Sequence, residues 1–74
     1  MSNDPLFVRA MRGYDVGQVD AVVRRVRAAL ESDSEVQRAL ARDEIRQVSF
    51  SVGLRGYDRS QVNDYLARAS ALLA

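Results

Sequence analysis

The sequence predicts an all-α module, in which two RGYD-led helices are joined by a connecting helix and pack in parallel like a short coiled coil. Three observations lead there. The 74-residue chain contains one stretch twice, each copy opens with a helix-start signal, and apolar residues follow at helical spacing. A single domain over 1–74 is expected, with repeat one at 7–30, the connecting helix at about 34–47 and repeat two at 50–73.

The repeat comes first, because a missed repeat misreads a fold. FVRAMRGYDVGQVDAVVRRVRAAL, from Phe7, aligns without a gap on FSVGLRGYDRSQVNDYLARASALL, from Phe50. The offset is 43 residues, and ten of the 24 positions are identical. The shared core is F-x-x-x-x-R-G-Y-D-x-x-Q-V.

That core reads as a turn that launches a helix. Asp15 and Asp58 suit the N-cap, where a short carboxylate accepts the unpaired amide protons of the first turn. Gln18 and Gln61, three residues on, are placed to complete a capping box by reaching back to the cap's own amide. Tyr14 with Val19, and Tyr57 with Val62, hold the two positions of a hydrophobic staple. Gly13 and Gly56 are read as turn residues that gain from positive φ.

Apolar spacing says what the helices do. Val19, Val23, Val26 and Leu30 are separated by 4, 3 and 4 residues, and Val62, Leu66, Ala69 and Leu73 repeat that spacing. This is a seam of about two heptads, short of the three or four of a free-standing coiled coil. It fits an amphipathic helix packed inside its own domain, or a seam open to a second chain.

Between the repeats, Ser34 and Gln37 form another capping pair, and Val36, Ala39 and Leu40 form a narrow apolar stripe. VSFSVGL alternates and is β-prone, but its only pairing candidate is the weaker FVRAM. An irregular arm leading into RGYD is expected, with pairing of the two arms as the alternative. A first helix of about 16 residues runs some 24 Å and the connecting helix about 21 Å back. The last helix then restarts level with the first and runs parallel to it, so the chain resembles a dimer fused into one polypeptide.

Composition excludes much. With no cysteine and no histidine, the chain lacks thiolate chemistry, the commonest metal ligand and the commonest general base. No phosphate-binding glycine loop is present, so neither an enzyme nor a cofactor or small-molecule substrate is expected. No run of roughly 20 apolar residues spans a membrane. MSNDP has neither the basic nor the apolar region of a secretory signal, so a cytoplasmic address is expected. The net charge of +1 does not favour a nucleic-acid binder, although Arg24, Arg25 and Arg27 cluster on the first helix. A small helical DNA-binding regulator is therefore the alternative reading of that cluster. All eleven basic residues are arginine, as codon usage in a GC-rich genome would give. Residues 31–47 carry five acids against three arginines, whereas residues 1–30 carry five arginines against three acids. An acidic middle between basic ends suits segments that pack on one another.

DEIRQVSFSVGLRGYDRSQVNDYLARASALL resembles the N-terminal domain of DivIVA, the bacterial cell-division and polar-growth scaffold. The residues that carry the likeness are Asp43-Glu44-Ile45, Phe50, Arg55-Gly56-Tyr57-Asp58, Val62 and Tyr65-Leu66. Repeat one is a degenerate copy, with Val22-Val23 in place of the aromatic-Leu pair. The resemblance implies a tandem protein of actinobacterial type, a protein partner or self-association as a homodimer, and contact with anionic membrane at the cytoplasmic face. The membrane residues it implies are Met11 and Arg12 in the first repeat and Leu54 and Arg55 in the second. The residues alone leave Met11 and Leu54 open between exposed tips and core. The family's long C-terminal coiled coil has no counterpart here, so filament formation by that route is not expected.

Overall fold

Two arms, one from each repeat, pair with each other before each chain segment turns into its helix. In the computed structural model, which describes residues 7–74, the strands are β1 (Arg9–Ala10), β2 (Gly13–Tyr14), β3 (Val52–Gly53) and β4 (Gly56–Tyr57). They form one antiparallel sheet in the order β1-β4-β2-β3. The helices are α1 (Val16–Leu30), α2 (Glu35–Gln47) and α3 (Arg59–Leu73). The fold is therefore mixed α/β, not all-α. Every strand pair joins one repeat to the other: β1 with β4, β2 with β3 and β2 with β4. The arms are ordered by hydrogen bonds to residues some forty positions away, which no local pattern encodes. The missing secretory signal at MSNDP concerns residues outside those described.

The helices begin where their caps dictate. Asp15 accepts from the Gln18 amide at 2.9 Å, Asp58 from the Gln61 amide at 3.0 Å, and Ser34 from the Gln37 amide at 3.2 Å. Each satisfies one of the amides that a helix start leaves unpaired. α1 and α3 start at the same end, since Val19 and Val62 share one buried cluster while Ala29 and Leu73 share another further along. α2 runs back between their far ends and the sheet. Its N-terminal half supplies Arg38 and Arg42, which donate to the Leu72 and Leu73 carbonyls at the end of α3, at 2.7 and 3.1 Å. Those carbonyls would otherwise be unpaired at the helix C-terminus. In the other half of α2, Glu44 accepts both the Nε and a terminal nitrogen of Arg25 on α1.

The seam residues form the core. Val19, Val26 and Val62 are fully buried, Val23, Leu66, Ala69 and Leu73 nearly so, and Leu30 is half-buried between the two clusters. The repeat helices thus satisfy each other inside one chain. The stripe read on α2 turns out differently: Val36 and Leu40 face outward, and Ala41 is the residue α2 buries. Arg38, Arg42 and Ile45, which share the inward face with Ala41, are what tie α2 to the pair.

Candidate docking tip

The shared motif is a device for clasping one repeat to the other. Gly13 and Gly56 are both buried, and neither has positive φ. The expected reason for glycine was therefore wrong. A Cβ on Gly13 would stand 2.3 Å from the Gly56 carbonyl carbon, and one on Gly56 would stand 2.3 Å from that of Gly13. Two backbones cross here, and only glycine lets them approach so closely.

The glutamines also act across the repeats rather than back on their own caps. Gln18 Oε1 accepts from the Ser51 amide at 2.8 Å, and Gln61 Oε1 accepts from the Val8 amide at 2.8 Å. The cap amides of Asp15 and Asp58, which a capping box would have satisfied, donate instead to the Ser51 and Val8 carbonyls, both at 2.8 Å. Each arm residue is thereby held at both its backbone N–H and its C=O by the opposite helix start.

The tyrosines repeat the pattern. Tyr14 donates its hydroxyl to Asn63 on α3, and Tyr57 donates to Asp20 on α1, at 3.1 and 2.9 Å. Phe7 packs on Tyr57 with ring centres 5.3 Å apart, and Phe50 packs on Tyr14 at 5.0 Å. Burial, and then the bond to Asp20, hold the Tyr57 hydroxyl above the ordinary tyrosine pKa. Arg9 lies over the same ring at 5.1 Å, a cation–π contact.

One position of the motif is left over. Phe, Gly, Tyr, Asp, Gln and Val each hold the two repeats together, but the side chains of Arg12 and Arg55 are exposed and make no bond among the described residues. They sit in the turns between β1 and β2 and between β3 and β4, directly after Met11 and Leu54. Those two are the most exposed large apolar side chains described, at 76% and 79%. Met11 and Leu54 are therefore tips, not core. The turn at Leu54-Arg55 borders the start of α1 near Asp15 and Gly17, and the Arg12 turn borders the start of α3 near Asp58 and Asn63. Both tips thus lie at the sheet end of the molecule, one over each helix start. Arg55 reaches its place with φ of 62°, a left-handed conformation rare for arginine.

The three arginines clustered on α1 have different surroundings. Arg25 is forked on Glu44, Arg27 lies near enough to Tyr65 for its charge to oppose the rise in the Tyr65 pKa that burial causes, and Arg24 is exposed. Among the described residues no cluster of three acidic side chains could hold a metal ion, and no helix is long and apolar enough to cross a membrane. No family model, curated protein or solved structure matches the chain.

Proposed function

We propose that the protein is a non-enzymatic interaction head of the DivIVA kind, which acts at the cytoplasmic face of the membrane in cell division or polar growth. Its tips, Met11-Arg12 and Leu54-Arg55, make a weak contact with anionic lipid, while the rest of the surface is left for protein partners. One observation carries this reading. Of the polar motif positions that the two repeats share, the arginine is the one whose side chain makes no bond among the described residues, and it stands beside the most exposed apolar side chain of each repeat.

The chemistry suits a lipid surface. An apolar side chain can enter the acyl boundary while the neighbouring guanidinium stays among phosphates. Each basic residue near an anionic surface contributes about 1 kcal/mol, so either prong alone is feeble. Two prongs on one rigid body bind with a shared loss of freedom, which raises the avidity without adding contacts. The sheet supplies that rigidity, because each turn is held by strands from both repeats.

Co-sedimentation with anionic vesicles tests the reading. Binding is expected at low salt, weaker at physiological salt and lost in Leu54→Asp, whose exposed position lets the variant fold. If wild type never sediments with vesicles while remaining folded, the lipid reading is wrong and the tips serve protein partners.

A further inference from the structure

The clasp builds a cleft between the repeats at the start of each of α1 and α3, and the side chains of the two clefts have diverged. The cleft beside α3, of about 380 Å³, takes Arg12 and Tyr14 from repeat one and Asp58, Arg59, Ser60 and Asn63 from repeat two. The Tyr14 hydroxyl, bonded to Asn63 at 3.1 Å, ties its two sides together. The side chains of Arg12, Arg59 and Ser60 are exposed and make no bond among the described residues.

The repeat offset of 43 shows what is special here. It carries Arg12 to Arg55, but it carries Arg59, Ser60 and Asn63 back to Val16, Gly17 and Asp20. Asp15, Val16, Gly17 and Arg55 line the corresponding cleft beside α1. Repeat two thus has a guanidinium in place of an isopropyl group, a hydroxyl in place of hydrogen and a neutral amide in place of a carboxylate. All three exchanges favour an anion. Asp20 accepts the Tyr57 hydroxyl, whereas Asn63 accepts the Tyr14 hydroxyl through Oδ1, which leaves its amide N–H groups to donate elsewhere. Asp58 is the one acid that lines the α3 cleft; it accepts the Gln61 amide and pairs with neither arginine. Asp64, where repeat one has Ala21, is exposed and does not line the cleft.

We propose that the α3 cleft binds a phosphate group, a monoester in preference to a diester, between Arg12 and Arg59, with Ser60 and Asn63 donating to it. Guanidinium forks match phosphate oxygens in pairs, and here two forks come from different repeats. A monoester offers three terminal oxygens and about −1.5 to −2 charges at neutral pH, against the two oxygens and single charge of a diester. The phosphate can be a lipid headgroup or free in solution. As a headgroup site the cleft rests on the lipid reading, because Arg12 belongs to a tip; as a phosphate site it does not.

Titration with inorganic phosphate, followed by nuclear magnetic resonance at constant ionic strength with chloride as the balancing ion, tests the cleft without any membrane. The Arg59 and Ser60 amides and the Asn63 side-chain amide should shift along one saturable curve, while the Val16 and Gly17 amides stay in place. Arg59→Val should weaken binding about tenfold, the loss of one charge-assisted contact. Arg59→Val with Asn63→Asp, which gives α3 the side chains that α1 carries in its own folded start, should abolish it with melting nearly unchanged. Val16→Arg with Asp20→Asn should create a second, similar curve at α1. Vesicles then separate the sources. If the phosphate comes from lipid, the wild type should prefer phosphatidic acid to phosphatidylglycerol at equal surface charge, and the Arg59→Val, Asn63→Asp variant should lose that preference while still sedimenting. Saturable shifts without any such preference would keep the cleft and assign it to free phosphate. Absence of a saturable shift, or shifts that survive in the double variant, would overturn the proposal and leave the lipid reading to its own test at Leu54.

Discussion

Glycine at four positions of this chain answers to four different surroundings, and substitution by alanine separates them. At Gly13 or Gly56 the added Cβ meets crossing backbone at 2.3 Å, which no side-chain rotation can relieve. Overpacking commonly costs about 1–3 kcal/mol and more where nothing can yield, so either substitution should unfold much of the population. Gly53 has open space around it and no positive φ, so Gly53→Ala should be neutral or stabilise by about 0.5 kcal/mol through the unfolded chain. Gly17, in the first turn of α1, meets only the Asp15 carboxylate at 3.4 Å, so Gly17→Ala should also raise stability, by up to about 1 kcal/mol. Thermal melts of the four variants check this, and comparable losses at Gly13 and Gly53 would contradict it. Tyr57 gives a second handle. Its folded pKa is raised by burial and by Asp20, so its contribution is intact below the unfolded value of about 10 and is lost as pH rises through the folded value. Stability should therefore fall on the alkaline side of about pH 10, and Tyr57→Phe should flatten part of that fall while losing the bond to Asp20. The glycines show where sequence reasoning stopped. RGYD identified them as special, but a reading through φ is local, and the cause is the other backbone.

The helices were legible and the strands were not, for a physical reason. Asp15, Ser34 and Asp58 mark their helices through bonds to amides three residues on, which the sequence displays directly. Each strand is only two residues long, and each pairs with the other repeat, so neither length nor alternation announces it. VSFSVGL does alternate, but Val52–Gly53 is the only part of it in a strand. Gln18 and Gln61 were visible as helix-start residues, while the amides that donate to them, those of Ser51 and Val8, depend on the crossing. The two roles of each helix start can be separated by mutation. Asp58→Ala and Asp15→Ala should each cost about 1 kcal/mol, the usual loss for an N-cap carboxylate. Gln61→Ala and Gln18→Ala should cost about as much through the lost arm bond. Hydrogen exchange tells them apart: the glutamine variants should free the Val8 or Ser51 amide while the helix keeps its protection. If the glutamine variants instead frayed the helix and left the arm protected, the reciprocal capping box would be the better description.

At the scale of the molecule, the repeat makes this chain a pseudo-twofold object with one asymmetric addition. The sheet, the tyrosine bonds and the phenylalanine contacts all come in equivalent pairs, whereas α2 covers one side of α1 and α3 only. The helical seam was readable in the spacing of Val19 through Leu73. That the two halves also clasp one another could not be read, because it requires both arms to be placed at once. This has a consequence for folding. No strand pair forms within a single repeat, and the core cluster draws Val19, Val23 and Val26 from one half and Val62, Leu66 and Ala69 from the other. A fragment ending in the link after α1 therefore has neither a sheet nor a second helix for its seam, and an isolated helix of 15 residues is marginal in water. The fragment from Ser34 onward keeps α2 and α3, but it loses Gly13 and Tyr14 as the partners of its arm. Cleavage in the exposed link near Asp33 should leave two pieces that are largely unfolded alone and regain helical circular dichroism when mixed. Gly13→Ala in the first piece should block the recovery, because the two backbones could no longer cross. If the first piece is helical by itself, or if recovery tolerates that substitution, the clasp is not what holds the halves together.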